Sequence, residues 1–357
     1  MRTGLFFSLD TDGRQEPVDL YDEVLEQVRV ADDIGYDSVW VAEHHFGDDQ
    51  VLPSLQTMLA AIATTTKGVR IGTGVKVLPL DNPVRVAEDF AVVDIVSNGR
   101  LLFGVGAGHR EEEFRGYRVE FGNRWERFSE ALDIVVKAWT NDSFAYAGRY
   151  YKVPVLAALG SGGAAFSVEP YVRPYVVQWQ RGGVRPKYLP VTPKPVQMPH
   201  PPIWVGASSE ESIKFAAKRG YSLLVSPIET FAEVKQASLI YAAALQEAGR
   251  DIADVEMTTI REVYVAESRE AARRDVMEPL AQLYSRYVGR PVDFSELNED
   301  RFIVGDPDEV LDKIKVYQSE ADVRHIVCRM SFPGLAHQRT LDSIRLFAAE
   351  VWSKLQA

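Results

Sequence analysis

"VRIGTGVKVLPLDNPVRVAEDFAVVDIVSNGRLLFGVGA", residues 69–107, holds one complete structural unit. Its first part, "VRIGTGVKV", is rich in β-branched residues and reads as a strand. Pro83 then opens a helix, since its missing N–H costs nothing in a first turn. Val86, Phe90, Val93 and Val96 recur along that helix at the spacing of one buried face. "RLLFGVGA" follows as the next strand. Two strands joined through a helix lie parallel in one sheet, with a right-handed crossover.

The unit repeats in both directions. Upstream, "GLFFSL" (4–9) is a strand; the helix after it carries Leu20, Val24, Val28, Ala31 and Ile34 on one face and stops at Gly35. "DSVWVA" is the next strand, and residues 54–66 the next helix. Downstream, a helix over 124–139 carries Trp125, Phe128, Leu132, Val135 and Trp139. "PIWVGA" (202–207) precedes a helix at 209–219, "SLLVS" one at 230–248, and "EMTTIREVYVA" one at 268–288. Pro307 opens a further helix, "VRHIVCRM" is the last strand, and a helix at 339–355 closes the alternation. Eight strands alternating with helices predict the α/β class and a single closed (β/α)8 TIM barrel over 1–357, rather than an open sheet.

Two stretches break the rhythm and are expected as insertions at the C-terminal face. Residues 155–200 hold many of the prolines, a "GSGG" segment and the aromatic residues Tyr171, Tyr175, Trp179 and Tyr188. A loop of this length with such content predicts an ordered lid. The second, "GRPVDFSELNEDRF" (289–302), is expected as a mobile loop.

Composition bounds the partners. The net charge is −11, from 40 basic and 51 acidic residues, with no basic cluster, so a nucleic-acid partner is not expected. Apolar residues make up 46% of the chain, enough for a large core. The single cysteine, Cys328, cannot form an internal disulfide, which fits a reducing compartment. No signal-like N-terminus and no spanning apolar run is present, so the expected location is cytoplasmic, without a membrane partner.

Barrel active sites form at the C-terminal strand ends. Collected in order, those ends give Ser8, Glu43-His44-His45, Thr73-Gly74, Gly106 to Arg110, Ser208-Ser209, Ser226, Arg261 and Arg329. His44 and His45 are adjacent, point to opposite faces, and so suit a metal ion poorly; no metal site is expected. "GASSEES" (206–212) places Gly206, Ala207, Ser208, Ser209 and Ser212 where a strand meets a helix. Free N–H groups and the helix dipole attract an anion there. The same residues also read as an N-cap with first-turn carboxylates, and both readings stand. "FGVGAGH" (103–109) is spaced G-x-G-x-G, unlike the dinucleotide fingerprint. It reads either as a tight turn or as a backbone that a flat ligand can approach, and the second is preferred.

Taken together, "GYDSVWVAEHHF", "GTGVKVLPLDNPVRVAEDFAVVDIVSNGRLLFGV", "PPIWVGASSEESIKFAAKRG" and "VGDPDEVLDKI" closely resemble the bacterial luciferase-like flavin monooxygenases. The resemblance runs in order from residue 3 to about 355, interrupted at 155–200. It implies a barrel that binds reduced FMN (FMNH2) and reacts with O2 through a flavin C4a-hydroperoxide to oxygenate a small organic substrate. By position it makes His44 the catalytic histidine. It matches Thr73-Gly74 to a non-proline cis peptide that shapes the flavin bed, and Ser209 and Ser212 to the hydroxyls that hold the FMN phosphate. Luciferases carry a cysteine where this chain has Gly106, which argues against light emission, and a glutamate where it has Ser208.

Without a nicotinamide fingerprint, the chain is expected to receive reduced flavin from a separate NAD(P)H:flavin reductase. An F420-dependent oxidoreductase of the same superfamily and a non-catalytic flavin-binding protein are the alternatives. A homodimer is expected from the small residues of "MLAAIATTT" and the apolar surplus around Phe90 and Val93. Luciferase-like proteins pair through the same region.

Overall fold

The computed structural model describes residues 1–153, 190–298 and 300–356. Its main sheet closes on itself through eight parallel strands. They are β1 (Arg2–Phe7), β2 (Ser38–Val41), β3 (Arg70–Thr73), β4 (Leu101–Gly106), β5 (Ile203–Gly206), β6 (Ser222–Val225), β7 (Met257–Val265) and β8 (His325–Arg329). Strands adjacent in the chain are adjacent in the sheet, and β8 pairs with β1 to complete the ring. This is the TIM barrel that the alternation predicts.

The register decides what fills it. Phe6 pairs with Trp40, Trp40 with Gly72, Gly104 with Trp204, and Ile260 with Val327. Strand alternation sends these residues inward, where Phe6, Trp40, Ala42, Leu102, Trp204, Leu224, Ile260 and Val327 form an apolar plug. The two indoles meet edge to face at 5.3 Å. They fit because Gly72 offers no side chain: a Cβ there would lie 2.5 Å from the Trp40 ring. Trp40 donates to Ser38 Oγ at 2.9 Å and Trp204 to Thr258 Oγ1 at 3.0 Å, so neither buried N–H is left unpaired.

The outward residues of the strands, among them Val39, Ile71, Phe103 and Val205, join a larger core beneath the helices. Those helices are α1 (Pro17–Ile34), α2 (Leu55–Thr65), α3 (Pro83–Val96), α4 (Arg124–Thr140), α5 (Glu210–Arg219), α6 (Phe231–Glu247), α7 (Arg269–Val288), α8 (Pro307–Ala321) and α9 (His337–Leu346). Helix α1 buries Leu20, Val24, Val28 and Ala31 and ends at Gly35, whose φ of 98° suits only glycine without strain. Helix α3 starts as its sequence says, with Pro83 in the first turn and the Asn82 side chain accepting from the Val84 N–H at 2.9 Å.

Several short elements exceed the sequence reading. A six-residue helix, Glu111–Gly116, follows β4. After α7 come a short helix, Phe294–Asn298, and a strand, Ile303–Gly305, which pairs with the last three residues of β7 before α8 begins. Three-residue strands leave no periodicity to read. Within 289–302, Phe294 is buried and its ring lies 5.7 Å from that of Phe302. Of the expected lid, residues 190–200 are described; Tyr171, Tyr175, Trp179 and Tyr188 lie outside the described residues. Among those described, no helix is long and apolar enough to cross a membrane.

Candidate active site

At the C-terminal ends of the strands the ring of inward positions has two unlike halves. On β2 to β5 they are Ala42, Gly74, Gly106 and Gly206, small and neutral. On β7, β8 and the end of β1 they are Glu262, Arg329 and Ser8, and Asp10 joins them from the loop beyond. The small half is roofed by Val75. A Cβ at Gly106 would lie 2.7 Å from Val75 Cγ2, and one at Gly206 3.0 Å from Val75 Cγ1. The glycines of 103–109 suggest room for a flat ligand; in the fold the Val75 isopropyl has first claim on the room at Gly106.

The chain reaches this position through a cis peptide between Gly74 and Val75. That is one bond beyond Thr73-Gly74, where the resemblance pointed. Up to Gly74 the backbone still belongs to the sheet, with the Gly74 N–H donating to the Val41 carbonyl at 2.8 Å. Thr73 Oγ1 also bonds the Gly104 carbonyl at 2.5 Å.

The segment after β2 is held by two buried carboxylates. Glu43 accepts from Lys76 Nζ at 2.8 and 2.7 Å and from the Val77 N–H at 2.8 Å. Lys76 also reaches Asp81 at 2.7 Å. Burial by itself would push the Glu43 carboxyl up; the Lys76 ammonium, His45 and the Val77 amide outweigh it and hold it below its usual range. The second carboxylate, Glu113, lies 3.0 Å from His44 Nδ1 and accepts from the His45 amide at 3.0 Å. Here too burial raises the carboxyl, and the bonds from His44 and His45 bring it down.

The two histidines thus have different surroundings. His45 is 6% exposed, hydrogen-bonded through Nδ1 to the Tyr117 hydroxyl at 3.1 Å and crossed edge-on by that ring. His44 meets His109 ring to ring at 5.9 Å. Burial, then His44 and Arg110, push the His109 imidazole below its usual value. With Nδ1 engaged by Glu113, Nε2 is the remaining ring nitrogen of His44. Glu113 escaped the sequence reading because "REEEF" looks like a solvated acidic turn; its one signal is the neighbouring Phe114, buried with it.

At the start of α5 the cap reading is realised in full. Ser209 accepts from the Ser212 N–H at 3.3 Å, Ser212 Oγ accepts from the Ser209 N–H at 3.1 Å, and the hydroxyls lie 2.9 Å apart. The amides of Glu210 and Glu211 have no acceptor within the helix. Ser208 and Ser209 are exposed, Ser212 and Ala207 buried. Arg261, gathered as a strand end, points away from the mouth: it bonds the Ser226 and Pro227 carbonyls and lies 5.3 Å from the Tyr317 ring of α8. The inward place belongs to its neighbour Glu262, as alternation from Ile260 requires. Among the described residues no group of three or more histidine, cysteine or carboxylate side chains could hold a metal ion.

The sequence profile of the luciferase-like monooxygenases matches residues 1–322. The chain belongs to that family. It is 26% identical over 347 residues to the oxygenase component of the flavin-dependent trigonelline monooxygenase of Acinetobacter baylyi, covering 89% of this chain and 86% of that one. It is 30% identical over 247 residues to protein y4vJ of Sinorhizobium fredii, an uncharacterized protein, with 68% of this chain aligned to 60% of that one. The F420-dependent glucose-6-phosphate dehydrogenase of Amycolatopsis mediterranei is 25% identical over 94% of this chain and 95% of its own. Among solved structures, the monooxygenase RslO1 of Streptomyces bottropensis superposes with a TM-score of 0.84 at 21% identity, over 99% and 100% of the two chains. The oxygenating constituent of 3,6-diketocamphane monooxygenase of Pseudomonas putida, in complex with FMN, superposes at 0.78 and 21% identity, over 99% and 98%. Both share the fold.

Proposed function

We propose that this protein is the oxygenase of a two-component system, taking reduced FMN from a separate reductase and using O2 to oxygenate a small organic substrate. The observation that carries the reading is the asymmetric mouth: a flat half of Ala42, Gly74, Gly106 and Gly206 under Val75, beside a histidine held by Glu113.

These residues fit FMN. Val75, seated over the small half, offers an apolar floor for a ring system, and the exposed start of α5 offers two unused amides and the Ser208 and Ser209 hydroxyls to a phosphate. Bound there, reduced FMN supplies the two electrons that let one oxygen atom of O2 enter the substrate while the other leaves as water. Glu113 fixes the His44 ring by accepting a hydrogen bond from Nδ1–H, so that Nε2 gives or receives a proton at the reacting centre. Glu43 and Lys76 tie the backbone on either side of that centre, holding the Val75 floor and the His44 segment at a fixed separation. The name of the trigonelline relative, an oxygenase component, supports the separate reductase.

Hydride transfer with F420 is the second reading, favoured by the F420-dependent relative. Anaerobic titration with FMNH2 and with reduced F420, followed by O2, separates the two. FMNH2 is expected to bind at micromolar concentration and to be oxidised with product formation; tighter binding of F420 without O2 consumption would overturn the proposal.

A further inference from the structure

The charged half of the mouth has no part in the flavin bed. On β7 and β8 the inward pairs run Thr258 with His325, Ile260 with Val327, and Glu262 with Arg329. The second belongs to the apolar plug; the third is charged and almost wholly buried, at 0% and 2% exposure. Arg329 Nη1 lies 3.5 Å from Glu262 Oε1, while Nη2 bonds Asp10 and, at 2.9 Å, the Tyr287 hydroxyl. Asp10 is saturated, accepting also from Ser8, from Gln50 at 3.0 Å and from Tyr287 at 3.2 Å. The Tyr284 and Tyr287 rings, 5.7 Å apart, wall the cluster. The Tyr284 hydroxyl, beside Glu262, donates to the Pro227 carbonyl at 3.2 Å. Among the described residues of this cluster, Glu262 Oε2 and Arg329 Nε are left buried without a hydrogen-bond partner of good geometry, the Tyr284 hydroxyl beside Glu262 being directed to the Pro227 carbonyl.

We propose that Glu262 and Arg329 anchor a neutral hydroxyl on an otherwise apolar substrate. The assignment rests on the oxygenase reading and names its substrate class. One open acceptor and one open donor match a group that does both, and a buried polar atom left unpaired costs about 1–3 kcal/mol. Asp10 already neutralises Arg329, so the cluster has no positive charge to spare for a carboxylate or phosphate. Burial raises the Glu262 carboxyl above its usual range, against the pull of Arg329. The hydroxyl donates to Glu262 Oε2 and accepts from Arg329 Nε–H, whereas a group that only accepts leaves Glu262 Oε2 unpaired.

The test compares alcohols with their methyl ethers, which accept a hydrogen bond but cannot donate one. Phenol and anisole, cyclohexanol and methoxycyclohexane, and 2-naphthol and 2-methoxynaphthalene are titrated calorimetrically into the FMN-loaded protein. At least one alcohol is expected to bind about ten-fold more tightly than its ether, and Glu262→Leu to reduce that ratio to about two or less. A preference in none of the pairs overturns the anchor, a result read on the unmodified protein even if the variant does not fold. A preference that survives Glu262→Leu overturns it too, and gives the two open atoms to a buried water. If FMN does not load, the cofactor reading fails by itself, and the same pairs on the flavin-free protein still decide the anchor.

Discussion

His44 and Glu113 concentrate the chemistry at the residue scale. His44→Ala should retain flavin binding and lose oxygenation by roughly 10²–10⁴-fold, the usual worth of a positioned acid or base. Single-turnover product analysis after mixing with O2 measures this; wild-type yield from His44→Ala together with loss in His45→Ala would reverse their roles. The two buried carboxylates also contribute to the acid limit of the fold. Glu43 and Glu113 are held below the ordinary value of 4.5. The unfolded chain therefore takes up protons first as the pH falls. Their contribution is complete above that value and is lost as acid reaches the folded-state range. Urea unfolding between pH 6 and pH 3 should show stability falling, and Glu113→Gln should flatten the fall; an unchanged slope would remove Glu113 from this account.

At the scale of elements, the start of α5 and the Val75 turn invite separate tests. Ser209→Ala with Ser212→Ala removes a complete capping box, which should cost about 1 kcal/mol of stability. If the same hydroxyls serve the phosphate, FMN affinity should also fall by roughly 1–3 kcal/mol. Lowered melting temperature with unaltered FMN quenching would make them a cap alone. Gly106→Ala drives a methyl to 2.7 Å from Val75. Overpacking of this kind should destabilise by about 1–3 kcal/mol. Combining it with Val75→Ala should restore most of the loss, a coupling that a double-mutant cycle reads directly.

For the whole molecule the open question is pairing. Helix α3 presents Val92, Ile95 and Val96 at 45%, 41% and 44% exposure, on the face turned away from the barrel. Residues 196–198 lie alongside, since Gln197 bonds Asp94 of the same helix, and they expose Val196 and Met198. Apolar residues in such a run argue for a covered surface. Light scattering should find twice the 40.0 kDa chain mass, and Ile95→Arg should shift it toward the monomer. A monomer at micromolar concentration in the unmodified protein would refute the homodimer.

The alternation of strand and helix, written in "VRIGTGVKV", Pro83 and "RLLFGVGA", determined the barrel by itself. Local periodicity is enough to say which residues share a face, and closure follows from the number of units. The same local signals placed His44, Ser209 and Ser212 at strand ends and helix starts. What they could not supply is distance between segments far apart in the chain. Glu113 lies 69 residues from His44, and Asp10 lies 319 from Arg329. Only the closed ring brings them together. Tertiary structure likewise decided that Val75 fills the space over Gly106 and Gly206, and that Glu262 rather than Arg261 faces the mouth. Burial and register are properties of the packed barrel, and a sequence read one segment at a time carries neither.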